Sequence, residues 1–183
     1  MNYFIEGIQG AGKSTLVGRL AEKLPDCHVF REGDYNPVEL AWCSYLTKEQ
    51  YEAVLCRYAK IADEIKANTT IERVFAPEGM NVDRNAEDRY VVTCTRILTD
   101  IPGFHKNLEQ YEIYNGNIDP EIFKDIILKR LKNWTGDNYI FECSIFQNVV
   151  EDMILFQKKS EQQIVDFFRE VKENLAGKDY QIL

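Results

Sequence analysis

Tyr3-Phe4-Ile5-Glu6-Gly7-Ile8-Gln9-Gly10-Ala11-Gly12-Lys13-Ser14-Thr15 is the most informative run in this chain. It begins with a short apolar run and continues as a glycine-rich loop that fits the pattern G-x-x-x-x-G-K-[ST]. A helical pattern of apolar residues follows the loop and stops at Pro25. This order predicts a strand, a loop and a helix, arranged so that backbone N–H groups of the loop wrap a chain of phosphates.

The loop residues have distinct expected roles. The glycines allow backbone angles that a Cβ would block. Lys13 can reach the β- and γ-phosphates of a nucleotide, and the Ser14 hydroxyl can ligate Mg²⁺. The residues predicted to contact the nucleotide are Gly7, Gln9, Gly10, Ala11, Gly12, Lys13, Ser14 and Thr15.

Composition narrows the class of protein. The length of 183 residues indicates one domain. The net charge of −8 indicates an acidic surface, which repels nucleic acids. No apolar run approaches the ~20 residues of a membrane span, and the early first strand leaves no room for a signal peptide. The five scattered cysteines are typical of reduced thiols in the cytoplasm rather than of zinc or disulfide sites. The sequence does not decide whether the chain forms a homodimer.

Apolar runs that alternate with helical patterns predict an α/β protein with a parallel sheet covered on both faces. The predicted strands are 3–5, 28–32, 70–75, 90–97, 138–142 and 180–183. The predicted helices after 15 begin near Thr47, Asp119 and Ser160, where capping residues stand. The expected organisation is a single domain, 1–183, in which 45–136 forms a largely helical insertion on the substrate side.

Ligands of such sheets bind beyond the carboxyl ends of the strands, so carboxylates at strand ends are candidate site residues. Glu32 and Asp34 follow the second strand, and either could take the proton of an acceptor hydroxyl; Asp34 is the weakly preferred one. A plain polar turn would explain them equally well. Glu142 ends an apolar strand, where a carboxylate can hold Mg²⁺.

Three further side chains are candidates for substrate contact. Trp42 and Tyr45 could stack on a planar ring, although packing of a short helix is an equal explanation. Arg96, at the end of a β-branched strand, could clamp an anion or stand on the surface. The charged stretch 83–89 is typical of a solvated loop, with length enough for a substrate-side flap.

The run Phe4–Thr15 resembles the opening of the deoxynucleoside kinases and of their thymidylate kinase-like relatives. Glu32 with Pro37 and Trp42 loosely resembles the segment that carries the general base of that family. Residues 140–146 resemble its apolar strand followed by Glu-Arg-Ser, with Cys143 in place of the arginine. The resemblance implies a three-layer phosphate-loop NTPase fold with strand order 2-3-1-4-5, in which the last strand and an arginine-bearing lid would lie beyond Leu183.

The resemblance also implies MgATP as phosphate donor and a nucleoside, nucleotide or similar small molecule as acceptor. Catalysis would involve Lys13, Glu142 and one of the two carboxylates Glu32 and Asp34. Two alternatives stay open: a nucleotide-binding switch or regulatory NTPase, and a phosphotransferase that acts on an antibiotic. The sequence contains no N/T-K-x-D motif of the kind that selects guanine, which disfavours a GTPase.

Overall fold

The computed structural model describes residues 1–74 and 87–183. Within them the chain forms two compact units. The first combines Met1–Ala41 with Ile113–Leu183, and the second is Trp42–Glu112. Each unit has its own β-sheet, and each is described by itself.

The first unit contains a four-stranded, fully parallel sheet. Its strands are β1 (Asn2–Ile5), β2 (His28–Phe30), β6 (Tyr139–Glu142) and β7 (Tyr180–Ile182). They lie in the order β2-β6-β1-β7. When only these four strands are counted along the chain, the order is 2-3-1-4, as the resemblance implied. The unit is therefore an α/β structure in which β1 lies between β6 and β7.

Alternate residues of the central strands build the two faces of this sheet. On one face, Ile5 and Ile140 pack against Val17 of helix α1 (Lys13–Lys23). On the other face, the rings of Phe4 and Phe141 stack with centroids 4.8 Å apart, and both meet the edge of Trp134. The two central strands, β1 and β6, are largely buried, as expected for a sheet between helical layers.

The remaining helices of the first unit are α5 (Pro120–Asn133), α6 (Gln147–Leu155) and α7 (Glu161–Asn174). Asp119 caps α5 by accepting from the N–H of Glu121 at 2.8 Å. Ser160 and Gln163 form the predicted capping box at the start of α7. The sequence patterns do not predict helix α6, which begins at Gln147, shortly after the strand that ends at Glu142.

The second unit contains a three-stranded antiparallel sheet in the order β3-β5-β4. The strands are β3 (Cys43–Leu46), β4 (Thr69–Val74) and β5 (Glu87–Thr93); the helices are α2 (Lys48–Arg57), α3 (Ala62–Ala67) and α4 (Phe104–Glu109). The capping box predicted at Thr47 is present, with Gln50. A core of Leu46, Ile65, Val92 and Phe104 lies between the sheet and these helices.

Two parts of the sequence interpretation need correction here. The strand predicted over 90–97 belongs to the antiparallel sheet of the second unit and ends at Thr93, so Arg96 lies in a 3₁₀ turn (Cys94–Arg96) and does not end a strand of the parallel sheet. The strand predicted over 70–75 lies in the same antiparallel sheet. β-branched residues favour a strand, but they do not select its partner strands.

The predicted insertion 45–136 does not coincide with a compact unit. The second unit spans 42–112 and combines strands with helices, whereas α5 belongs to the first unit. In the charged stretch, Glu87–Arg89 begin β5, and Asp83 and Arg84 lie outside the described residues.

Candidate phosphate-binding site

The glycine loop connects β1 to α1 and lies at the carboxyl edge of the parallel sheet. Gly7, Gly10 and Gly12 have φ angles of 149°, 79° and 89°. A Cβ added to Gly10 or Gly12 would meet no atom within 4 Å, so these two positions favour glycine because of backbone angle and not because of space. Residues 7–12 are all exposed, which leaves the loop open to a ligand.

Lys13 is the first residue of α1, and its ammonium group turns back across the loop. Its Nζ donates to the carbonyl oxygens of Gly7 and Ile8, both at 2.9 Å. A third bond of 2.7 Å goes to Oε1 of Gln147, at the start of α6. The ammonium therefore lies at the mouth of the loop, where a phosphate group held by the loop would meet it.

Ser14 and Glu142 are the closest pair of polar side chains in the site. Ser14 Oγ donates to Glu142 Oε1 at 2.5 Å, which joins the first turn of α1 to the end of β6. Glu142 is only 5% exposed, and its other oxygen lies 3.7 Å from Nη1 of Arg31, which follows β2. Arg31 thus places a cation beside the predicted metal-holding carboxylate.

The Ser14–Glu142 pair fits a magnesium ion. Hydroxyl and carboxylate oxygens are ligands that Mg²⁺ prefers, and the ion usually keeps several waters and takes its remaining ligands from substrate phosphates. In the described residues no cluster of three or more His, Cys, Asp or Glu side chains could hold a metal by itself. Waters and phosphate oxygens could complete the coordination of a magnesium ion held by these two side chains.

Glu6 ties the strand before the loop to the start of α6. Its Oε1 accepts from the backbone N–H groups of Ser144 and Ile145 at 2.7 and 2.8 Å, and its Oε2 accepts from Phe146 at 3.0 Å. Burial raises the pKa of Glu6, and the backbone N–H donors oppose that rise. Both ends of the glycine loop, Glu6 and Lys13, are therefore bonded to the segment that opens α6.

Cys143 and Ser144 occupy the turn between β6 and α6. Cys143 adopts a φ of 56°, and burial raises the pKa of its thiol to about 12, so the sulfur stays protonated and acts as a donor. Its Sγ donates to Gln147 Oε1 at 3.7 Å. A neutral thiol cannot clamp an anion as an arginine does, so the substrate role of the arginine of the similar family has no counterpart at Cys143.

The two candidate bases occupy a turn after β2. The backbone N–H of Arg31 donates to Asp34 Oδ2 at 3.1 Å, and the N–H of Asp34 donates to the Arg31 carbonyl at 3.0 Å. The Asp34 carboxylate therefore takes part in stabilising the turn, as the plain structural explanation requires. Glu32 is exposed on the same turn.

A buried polar cluster follows this turn in the first unit. Asn36 Oδ1 accepts from the backbone N–H groups of Val38 and Glu39, and its Nδ2 donates to Ser144 Oγ at 3.3 Å. Arg130 of α5 donates to the Asn36 carbonyl at 2.6 Å. These bonds connect the segment after β2 both to the turn after β6 and to α5.

Glu39 is the most deeply buried carboxyl of that cluster, with 1% exposure. Burial raises its pKa to about 7, although the nearby Tyr114 hydroxyl and Arg130 lower it. The Tyr114 hydroxyl is also buried, beside the Glu39 carboxyl.

Trp42, Tyr45 and Arg96 all belong to the second unit. Trp42 is 54% exposed with a φ of 62°, and the Arg89 guanidinium lies 5.7 Å from the centre of the Tyr45 ring. That these three side chains contact a substrate stays a prediction.

Comparison with protein-family models, curated proteins and solved structures gave no significant match. Among the described residues, no helix is both long and apolar enough to cross a bilayer. The five cysteines are free thiols.

Sequence reasoning missed three residues that touch this site. Gln147 holds Lys13, Glu6 anchors the start of α6, and Arg31 faces Glu142. Glu6 and Arg31 directly follow β1 and β2, so the rule that strand ends carry function could have identified them. Gln147 has no such signal, because its contact with Lys13 arises only when β6 lies beside β1.

Proposed function

We propose that the chain is an ATP-dependent phosphotransferase that transfers the γ-phosphate of MgATP to a small molecule. The observation that carries this proposal is the contact between Ser14 and Glu142 at 2.5 Å. It brings together a hydroxyl and a carboxylate from two separately predicted elements, beside the glycine loop and Lys13. The phosphate-loop NTPase fold implied by the sequence is compatible with the parallel sheet.

In this proposal each residue has a defined part. The N–H groups of residues 9–15 and the Lys13 ammonium bind the β- and γ-phosphates and stabilise the charge that develops during transfer. Ser14 and Glu142 would hold Mg²⁺, which neutralises phosphate oxygens. A carboxylate, Asp34 or Glu32, orients the acceptor hydroxyl and takes its proton as the new P–O bond forms and ADP leaves.

The acceptor proposed is a nucleoside or nucleotide, on the strength of the resemblance of residues 4–15 and 140–146 to the deoxynucleoside kinases. A hydroxylated antibiotic would use the same donor chemistry. The test is ADP production from MgATP with a panel of nucleosides, nucleotides and antibiotics. Stoichiometric appearance of a phosphorylated acceptor supports the kinase, and a rate that no panel compound raises contradicts it.

A nucleotide-binding switch is the second candidate. The second unit favours it, because Trp42–Glu112 has a core and a sheet of its own and could present a surface to a protein partner. The same ADP assay discriminates the two functions. Stimulation by a small hydroxyl compound favours the kinase, and stimulation only by a protein fraction favours the switch.

A further inference from the structure

Lys13 uses its full hydrogen-bonding capacity in this structure. An ammonium group has three N–H donors. Those of Lys13 go to the carbonyls of Gly7 and Ile8 and to Gln147 Oε1. A phosphate oxygen that takes a full hydrogen bond from this ammonium must replace one of the three acceptors.

Gln147 is the acceptor best able to leave. The two carbonyls belong to the loop backbone, and their movement would disturb the loop that must wrap the phosphates. The Gln147 acceptor lies at the end of a flexible side chain, which can change rotamer. Its Oε1 also accepts from Cys143 Sγ at 3.7 Å, a long contact to a weak thiol donor that adds little to the hold on the amide.

The backbone beneath Gln147 is held independently of Lys13. The three residues before Gln147 donate their N–H groups to the Glu6 carboxylate. Loss of the bond between Lys13 and Gln147 would therefore leave the start of α6 in place. Replacement of Gln147 Oε1 by a phosphate oxygen would therefore move one side chain and leave the helix in place.

We propose that Gln147 is a positioning residue that holds the Lys13 ammonium and is displaced by a phosphate oxygen when a polyphosphate binds. Gln147 thus competes with the ligand for Lys13 and sets the affinity for triphosphates. This inference rests on the proposed function only for the identity of the ligand as a triphosphate.

Two substitutions with opposite effects test the exchange. Gln147→Leu removes the competing acceptor at similar size and raises the affinity for MgATP about three- to tenfold. Gln147→Glu strengthens the hold on Lys13 through a charge-assisted bond and lowers the affinity roughly tenfold or more. Gln147→Met, of similar length and without an amide acceptor, repeats the first effect if the leucine variant fails to fold. Gln162→Glu, which adds the same charge to the exposed first turn of α7, is the control and leaves affinity unchanged.

The measurement is calorimetric titration of the full chain with MgATP, inorganic tripolyphosphate and adenosine. A purely structural role of Gln147 would change affinity in the same direction in every variant, and it would also affect adenosine. Opposite changes for the two phosphate-bearing probes, with none for adenosine, support the exchange. Unchanged or weaker binding of MgATP by both the leucine and methionine variants overturns it.

The outcomes separate this inference from the proposed function. If the leucine variant binds MgATP more tightly but no acceptor is phosphorylated, the exchange stands and the kinase assignment fails. If acceptors are phosphorylated and the leucine and methionine variants bind no better than the wild type, only the exchange fails. A wild-type chain that binds neither MgATP nor tripolyphosphate overturns both.

Discussion

Ser14 Oγ donates a hydrogen bond of 2.5 Å to Glu142 Oε1, and this bond joins residues that lie 128 positions apart in the chain. It forms because β1 and β6 are parallel neighbours, with Ile5 paired to Glu142. The helix that follows β1 therefore starts beside the carboxylate that ends β6. The oxygen pair at this junction is the expected position for a metal ion bound to a nucleotide.

Glu142→Gln is expected to abolish the effect of Mg²⁺ on nucleotide binding. The amide oxygen can still accept from Ser14, so the loop keeps its position, but the negative charge that favours a divalent cation is lost. Titration with ATP in the presence and absence of Mg²⁺ measures the change. Magnesium should strengthen ATP binding to the wild type and to the control Glu173→Gln. If magnesium strengthens ATP binding to Glu142→Gln just as much, Glu142 is not a ligand of the metal.

Asp34→Asn and Glu32→Gln are expected to differ sharply in phosphotransfer. Asparagine keeps an acceptor for the Arg31 N–H, so the turn survives in either variant. Only the variant that lacks the base should lose transfer, by about 10²- to 10⁴-fold, with nearly unchanged affinity for ATP. Equal small losses in both would mean that neither carboxylate takes the proton.

Glu6→Ala is expected to lower the free energy of unfolding by about 1–3 kcal/mol, because three backbone N–H groups at the start of α6, two of them partly buried, lose their acceptor. Glu161→Ala removes an exposed carboxylate from the first turn of α7 and should cost well under 1 kcal/mol. Urea denaturation compares the two. Similar small losses would indicate that the Glu6 contacts contribute little.

Glu39 is expected to make the fold less stable as pH rises. Its pKa is raised from 4.5 to about 7 in the folded chain, so between these values the unfolded chain releases this proton while the folded chain keeps it. The stabilisation is complete below pH 4.5, and about 3 kcal/mol is lost as pH rises through 7. Glu39→Gln should reduce the fall across this range, as measured by urea denaturation at several pH values, whereas exposed Glu151→Gln should not. An unchanged pH profile in Glu39→Gln would refute the shift.

Local signals were sufficient for several elements of the first unit, including those that form the candidate site. The loop pattern, the strands that contain Ile5 and Ile140, and the capping box at Ser160 all rest on residues close in sequence. The order 2-3-1-4 did not follow from such signals and came from the resemblance. Strands in the interior of a parallel sheet have similar apolar sequences, and their pairing depends on long-range packing.

The second unit was interpreted less well, and the reason is physical. Val91 and Val92 mark a strand, yet β-branched residues suit an antiparallel sheet as well as a parallel one. Strand β3 (Cys43–Leu46) is short, and the polar Ser44 breaks its apolar pattern, so the sequence does not predict it. Ser44 is nevertheless buried, and its hydroxyl donates a hydrogen bond to the Leu108 carbonyl. Gln147 escaped notice because its partner, Lys13, is distant in sequence.

The most direct test of the phosphate-binding site is calorimetric titration of MgATP into the wild type and into Lys13→Ala, with Lys23→Ala at the exposed end of the same helix as control. We expect the wild type and the control to bind equally well and Lys13→Ala to bind about a hundredfold more weakly, because the bound phosphates lose their ammonium partner. Equal affinity in all three proteins would contradict the assignment of the glycine loop as the nucleotide site.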